Sequence, residues 1–316
     1  MWTLPVVLLA SIYVGWNIGA NDAGNCMGTT VGSGLLSYRR ALLLVSVFAV
    51  LGAALQGHRV TETIGTGIVT TELSVAAVLV SLAVTGGLLT LVTSFGLPVS
   101  TGEVIVGAVA GVGLAAGADV SGQKILSILQ FWALSPVLAG VLAYSLHRAL
   151  SPLMRRVQQF HRLESILGVL LFASSSYVAF SMGASNAGKA VGPLLSLGMT
   201  GRWLPLVGGA AIVLGVVTFG RRVTRTISGG IVQLDPLAAF TAQTAAAIVI
   251  HFVSLLGVPI STSQAIVGAV VGVGLLRGVR AVRGGRLVRI LAGWILTPIC
   301  AGGVSFGVYR LIARIV

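Results

Sequence analysis

Apolar residues fill long stretches of this chain, and polar residues interrupt them at a few fixed places. The runs at 41–55, 73–92, 125–146, 204–219 and 287–308 carry almost no charge. A helix needs roughly 18 or more such residues to cross the ~30 Å hydrocarbon layer of a bilayer. Most of these runs approach that length, and some are broken by Gly or a polar residue. Two further runs, at 104–114 and 265–275, are only about 11 residues long, too short to span. The pattern predicts an all-α polytopic membrane protein in which two of the apolar segments turn back before crossing.

The short runs belong to a repeat. Residues 96–114 read GLPVSTGEVIVGAVAGVGL and residues 257–275 read GVPISTSQAIVGAVVGVGL, with 13 of 19 positions identical. Other landmarks recur in the same order. Gly19-Ala20-Asn21-Asp22 answers to Gly183-Ala184-Ser185-Asn186, and Trp132 and Pro136 answer to Trp294 and Pro298. An ordered series of polar landmarks does not arise by chance between apolar stretches, so the chain is a duplication. The boundaries expected are a first repeat at 1–147, a basic cytoplasmic linker at 148–163 and a second repeat at 164–316.

Charge suggests how the halves face. Arg277, Arg280, Arg283, Arg286 and Arg289 follow the second short run, whereas only Lys124 follows the first; the linker carries Arg148, Arg155, Arg156 and Arg162. Basic residues collect on the cytoplasmic side of membrane helices. Placing both basic segments there inverts one half relative to the other and leaves both termini outside. Inverted repeats are a recurrent plan of secondary transporters. The fold expected is therefore two inverted repeats with broken helices and two re-entrant hairpins.

Composition agrees with a lipid surround. Charged residues make up 9% of the chain, against about 25% in soluble domains, and mean hydropathy is +1.01. The net charge of +13 is explained by interhelical loops rather than by a nucleic-acid partner. Residues 1–10 lack a basic leader region, so no cleavable signal is expected. Cys26 and Cys300 receive no disulfide or metal role. No nucleophile–base pair and no cluster of metal ligands stands at a working spacing, which argues against an enzyme.

Two polar motifs sit where apolar residues are expected. The first, at 17–30, holds Asn21, Asp22 and Asn25 among several Gly. A charged Asp at mid-membrane costs roughly 2.5–3.5 kcal/mol on insertion scales, so it must face a cavity or a partner. Gly at this density is expected to loosen the helix; loosened backbone survives only beside a cavity or in protein. Freed carbonyls with Asn and Asp oxygens suit Na⁺, making Asn21, Asp22 and Asn25 its expected ligands, and freed N–H groups suit an anion. The second motif is Pro98-Val99-Ser100-Thr101-Gly102-Glu103 and its repeat Pro259-Ile260-Ser261-Thr262-Ser263-Gln264. Here Ser100, Thr101, Ser261, Thr262 and Ser263 are expected to donate to the oxygens of an oxyanion. Glu103, in a dry tip, is a candidate proton carrier, because desolvation disfavours its charged form.

These motifs resemble a known family. GANDAGNCMGTTVGSG at 19–34 closely resembles the first signature of the inorganic phosphate transporter (Pit) family, and SMGASNAGKAVGP at 181–193 is similar to its second. The resemblance covers nearly the whole chain. It implies symport of inorganic phosphate with Na⁺ or H⁺ and no cofactor, in the cell (inner) membrane, at a central site built from both signatures and both tips. The substrate-binding set carried over is Asn21, Asp22, Asn25, Ser100, Thr101, Ser185, Asn186, Lys189, Ser261, Thr262, Ser263 and Gln264, with Asn21, Asp22, Asn25 and Glu103 as the coupling set. The plan allows a homo-oligomer.

Two departures stand out. Where the family usually has a second Asn-Asp followed three residues later by Asn, this chain has Ser185, Asn186 and Lys189. The ammonium could replace a bound cation, touch the anion, or snorkel to the surface. Glu103 resembles the sulfate-transporting relatives, making a sulfate permease the alternative. Phosphate can donate hydrogen bonds near neutral pH and sulfate cannot, so the retained acceptor Asp22 favours phosphate.

Overall fold

The computed structural model describes residues 3–32, 34–94, 99–228, 234–276 and 284–315, the side chains of Asn25, Thr29 and several helix-end residues excepted. They form ten α-helices: α1 (Thr3–Gly32), α2 (Tyr38–Glu62), α3 (Val75–Ser94), α4 (Thr101–Ala115), α5 (Gly122–Arg155), α6 (Phe160–Val191), α7 (Trp203–Ser228), α8 (Pro236–Leu255), α9 (Thr262–Leu275) and α10 (Gly284–Ile312). A π-helical turn (Thr63–Gly67) extends α2, and a 3₁₀ turn (Gly192–Leu197) extends α6. Among the described residues there is no strand, only an isolated bridge between Val69 and Val120.

Eight helices are long and apolar enough to cross a bilayer; α4 and α9 are not. At 15 and 14 residues, those two rise only about 22 Å at 1.5 Å per residue. Their starts are capped alike. The Ser100 hydroxyl accepts from the Glu103 N–H, and the Ser261 hydroxyl from the Gln264 N–H, satisfying one donor that each first turn leaves orphaned. The far end of α4 returns to where α3 began: Ser121 N–H donates to the Ile68 carbonyl (2.9 Å) and Thr70 N–H to the Asp119 carbonyl (3.0 Å). Helices α3 and α4 are thus the arms of a hairpin.

Glycine lets the long helices touch backbone to backbone. A Cβ on Gly183 of α6 would strike the Ala49 carbonyl of α2, and one on Gly19 of α1 would strike the Ile212 carbonyl of α7. Gly107 of α4 lies on the Pro298 carbonyl of α10, and Gly268 of α9 on the Pro136 carbonyl of α5. Each contact in one half recurs in the other with the partners exchanged. Along α1 and α6 the contacts run oppositely. Ser11 donates to the Ala190 carbonyl, Asn186 meets Asp22, Cys26 meets Met182, and Thr30 meets Ser175. These two helices are therefore antiparallel.

One expectation is corrected. Helix α1 runs without interruption through 17–30, and α6 through 181–191; the Gly residues there do not unwind the helix. They serve close approach to α7 and α2, which an intact helix permits and a side chain would prevent. The chain leaves the helix instead at the tips, at 99–100 and 256–261. Helices α5 and α6 also run well into the segment 148–163, leaving only 156–159 outside a helix. Of the arginines used for orientation, Arg277, Arg280 and Arg283 lie outside the described residues, as do the side chains of Arg286 and Arg289.

Candidate functional site

The middle of α1, the C-terminal part of α6 and both tips converge at one place. Asn21, Asp22, Ser100, Thr101, Glu103, Ser185, Asn186, Lys189, Ser261, Thr262, Ser263 and Gln264 are all buried, none more than 5% exposed. The Asn25 side chain lies outside the described residues. Pro98, at the head of the first tip motif, does too.

A chain of hydrogen bonds runs from one tip to the other through α1 and α6. Asn21 Nδ2 donates to the Val99 carbonyl (2.9 Å) and to Asp22 Oδ1 (3.0 Å). Asn186 Nδ2 donates to Asp22 Oδ2 (2.7 Å). Lys189 Nζ donates to Asn186 Oδ1 (2.5 Å) and to the Ile260 carbonyl (2.5 Å). Val99 and Ile260 hold equivalent positions in the repeat, so the chain begins and ends on matching carbonyls.

The tips also meet directly. Gln264 Nε2 donates to Glu103 Oε1 (2.6 Å), again a pair of equivalent positions. A Cβ on Gly102 would lie 3.1 Å from the Pro259 carbonyl and 3.5 Å from Lys189 Cε. Trp132 Nε1 of α5 fixes the second tip by donating to the Pro259 carbonyl (2.9 Å).

Four buried polar atoms here have no partner among the described residues: the hydroxyls of Ser185 and Thr262, Glu103 Oε2 and Gln264 Oε1. An unmet buried group costs about 1–3 kcal/mol, so four on the converging α6 and tip segments suit something polar. Two are hydroxyl donors and two are acceptors. That mixture suits a small oxyanion that both accepts and donates hydrogen bonds. The ionisable side chains gathered here are Lys189, Asp22 and Glu103. Asp22 reaches the Lys189 ammonium through Asn186. Oxygens suited to a hard cation are present as the Asp22 carboxylate, the Asn186 amide and the Val99 and Ile260 carbonyls.

Sequence reading identified every side chain in the tip-to-tip chain. It did not identify the Val99 and Ile260 carbonyls, because a backbone acceptor leaves no mark in the sequence. It also missed Gln243 of α8, which ties α1 to α6: Gln243 Nε2 donates to Thr30 Oγ1 (2.7 Å), and Ser174 donates to Gln243 Oε1 (2.9 Å). A polar residue inside the apolar 236–255 run was the available signal.

Comparison with known proteins is consistent across sequence and structure. The profile of the phosphate transporter family matches residues 18–162 and 152–305. A Pyrococcus abyssi protein described as a candidate phosphate permease is 31% identical, over 98% of both chains. The chloroplastic inorganic phosphate transporter 2-1 of Arabidopsis thaliana is 29% identical, over 92% of this chain and 69% of its own. A solved structure, described as the sodium-dependent phosphate transporter, superposes with a TM-score of 0.88 at 27% identity, covering 100% of both chains. The chain, a multi-pass helical membrane protein, belongs to the phosphate transporter family.

Proposed function

We propose that the protein is a secondary active transporter, a symporter that carries inorganic phosphate across the cell membrane with Na⁺ or H⁺. The observation that carries this reading is the buried hydrogen-bond network that joins both signature segments and both tips, with the Ser185 and Thr262 hydroxyls left without partners among the described residues. Family membership and the relatives' descriptions as phosphate permease and inorganic phosphate transporter support the substrate. The sodium dependence of the solved relative supports Na⁺ as a driver. The buried carboxyl Glu103 supports H⁺.

In this reading the anion lies between the halves, within reach of the Ser185 and Thr262 hydroxyls and the starts of α4 and α9. A helix start presents free N–H groups and the positive end of the helix dipole, both favourable to an anion. Asp22 accepts the proton of the phosphate or holds the driving cation. Entry of a positive charge with the anion offsets part of its desolvation cost. The antiparallel α1 and α6, and the exchanged partners elsewhere, support two inverted repeats, 1–147 and 164–316, that rock around the site. Basic segments facing the cytoplasm would leave both termini outside.

Reconstitution tests this. Proteoliposomes should accumulate labelled phosphate when a Na⁺ or pH gradient is imposed, and each gradient is applied alone. Accumulation of sulfate that excess phosphate does not suppress would move the substrate to sulfate.

A further inference from the structure

Among the described residues, Lys189 is the one lysine or arginine that is fully buried. Its place in the repeat is informative. Asn21, Asp22 and Asn25 answer to Ser185, Asn186 and Lys189. The first half thus has a carboxylate and an amide where the second has an amide and an ammonium. The backbone around them has not diverged: Val99 and Ile260 both turn their carbonyls toward these side chains.

The ammonium is held as an alkali cation would be. Nζ meets the Asn186 amide oxygen and the Ile260 carbonyl, each at 2.5 Å; Asn186 in turn bonds the Asp22 carboxylate, and a Cβ on Gly102, next to Glu103, would lie 3.5 Å from Lys189 Cε. Neutral amide and carbonyl oxygens with an acid nearby are the ligands chosen by hard monovalent and divalent cations. Snorkelling is excluded, because the whole side chain is buried and both described bonds of its head point into the site.

We infer that the Lys189 ammonium is a resident cation: it occupies the place in the second half where an exchangeable Na⁺ would be held, so that half contributes no dissociable ion to the cycle. The inference rests on the cation-coupled reading above. It follows that removing this ammonium leaves a single positive charge missing beside two oxygens that have lost their donor. Na⁺ meets that need in charge and ligand preference.

The experiment compares the parent with Lys189→Asn, which restores the residue type of Asn25, and with Lys189→Met, which fills the space without an oxygen. Labelled phosphate and labelled Na⁺ uptake are measured in proteoliposomes, with choline replacing Na⁺. Lys189→Asn is expected to depend on Na⁺ about tenfold or more beyond the parent, since an unpaired buried charge is strongly unfavourable, and to carry one more Na⁺ per phosphate. Lys189→Met is expected to stay inactive at any Na⁺ concentration. The thermal unfolding midpoint of each purified protein is also followed against NaCl and choline chloride. It should rise selectively with Na⁺ in Lys189→Asn more than in the parent. That arm reads Na⁺ binding even if the parent transports no phosphate, a result that would sink the proposed function alone. A raised KM for phosphate in Lys189→Asn with unchanged Na⁺ dependence and no added Na⁺ stabilisation would overturn the inference and make Lys189 a direct ligand of the anion. A folded Lys189→Asn protein that neither transports nor is stabilised by Na⁺ would overturn it as well.

Discussion

The two halves of the molecule agree where helices touch and disagree where charges sit. In the first half Asn21 donates to the Val99 carbonyl and to Asp22; in the second, Lys189 donates to the Ile260 carbonyl and to Asn186. At the tips Glu103 meets Gln264. The packing residues show no such drift: Gly107 on Pro298 is matched by Gly268 on Pro136. Backbone approach is fixed by volume, and both halves must solve the same volume problem. A charge has to be balanced only once in a shared site. A duplicated protein can therefore specialise its centre without altering the scaffold, and Asp22 and Lys189 can serve as complementary members of one network.

The largest effect should come from breaking the asymmetry at its acidic end. Asp22→Asn removes the negative charge and one of the two oxygens that accept from Asn21 and Asn186, and leaves Lys189 with less compensation in a dry interior. Breaking a buried charged network this way costs several kcal/mol, so phosphate uptake should fall by about a hundredfold or more while the protein stays folded by size-exclusion chromatography. Uptake near the parent's level would contradict the role given to Asp22.

Next in size is the shared packing. Gly183→Val pushes a side chain into the Ala49 carbonyl, whereas a methyl group placed on Gly87 of α3 would meet nothing within 4 Å. Overpacking costs about 1–3 kcal/mol. Gly183→Val should lower the unfolding midpoint clearly and Gly87→Ala should leave it unchanged; equal effects would show that the helices do not approach so closely.

A smaller, more selective change is expected at the tips. Glu103→Gln makes the two tips alike at this position. If the Glu103 proton travels with the anion, uptake by the parent rises as external pH falls. The variant's profile should then flatten while a Na⁺-driven component persists. An unaltered pH profile would remove Glu103 from the coupling. The smallest effect belongs to Trp132→Phe, which keeps an aromatic ring but loses the bond to the Pro259 carbonyl. A loss of about 0.5–1.5 kcal/mol in stability is expected, with a modest rise in the KM for phosphate as the second tip loosens.

Much of this architecture was legible in the chain itself. The repeated PxST segments gave the two tips, because short apolar runs after a Ser-Thr cap cannot span and must turn back. Asn21, Asp22, Asn186 and Lys189 stood out because polar groups are costly in lipid. Their partners were hidden. Val99 and Ile260 contribute carbonyls, and Gln243 acts through a fold that brings α8 against α1 and α6. The glycines misled in one respect. Gly19 and Gly183 looked like helix breakers, but close packing and loosened backbone use the same residue, and only the position of Ile212 and Ala49 tells them apart. The orientation of the halves in the membrane rested on two basic segments, of which the 277–289 arginines fall wholly or by their side chains outside the described residues.

The most direct test is an experimental density map of the purified protein equilibrated with phosphate. Density for a tetrahedral anion should lie within hydrogen-bond reach of the Ser185 and Thr262 hydroxyls, between the starts of α4 and α9. Saturating phosphate that leaves this place empty and binds elsewhere would contradict the account.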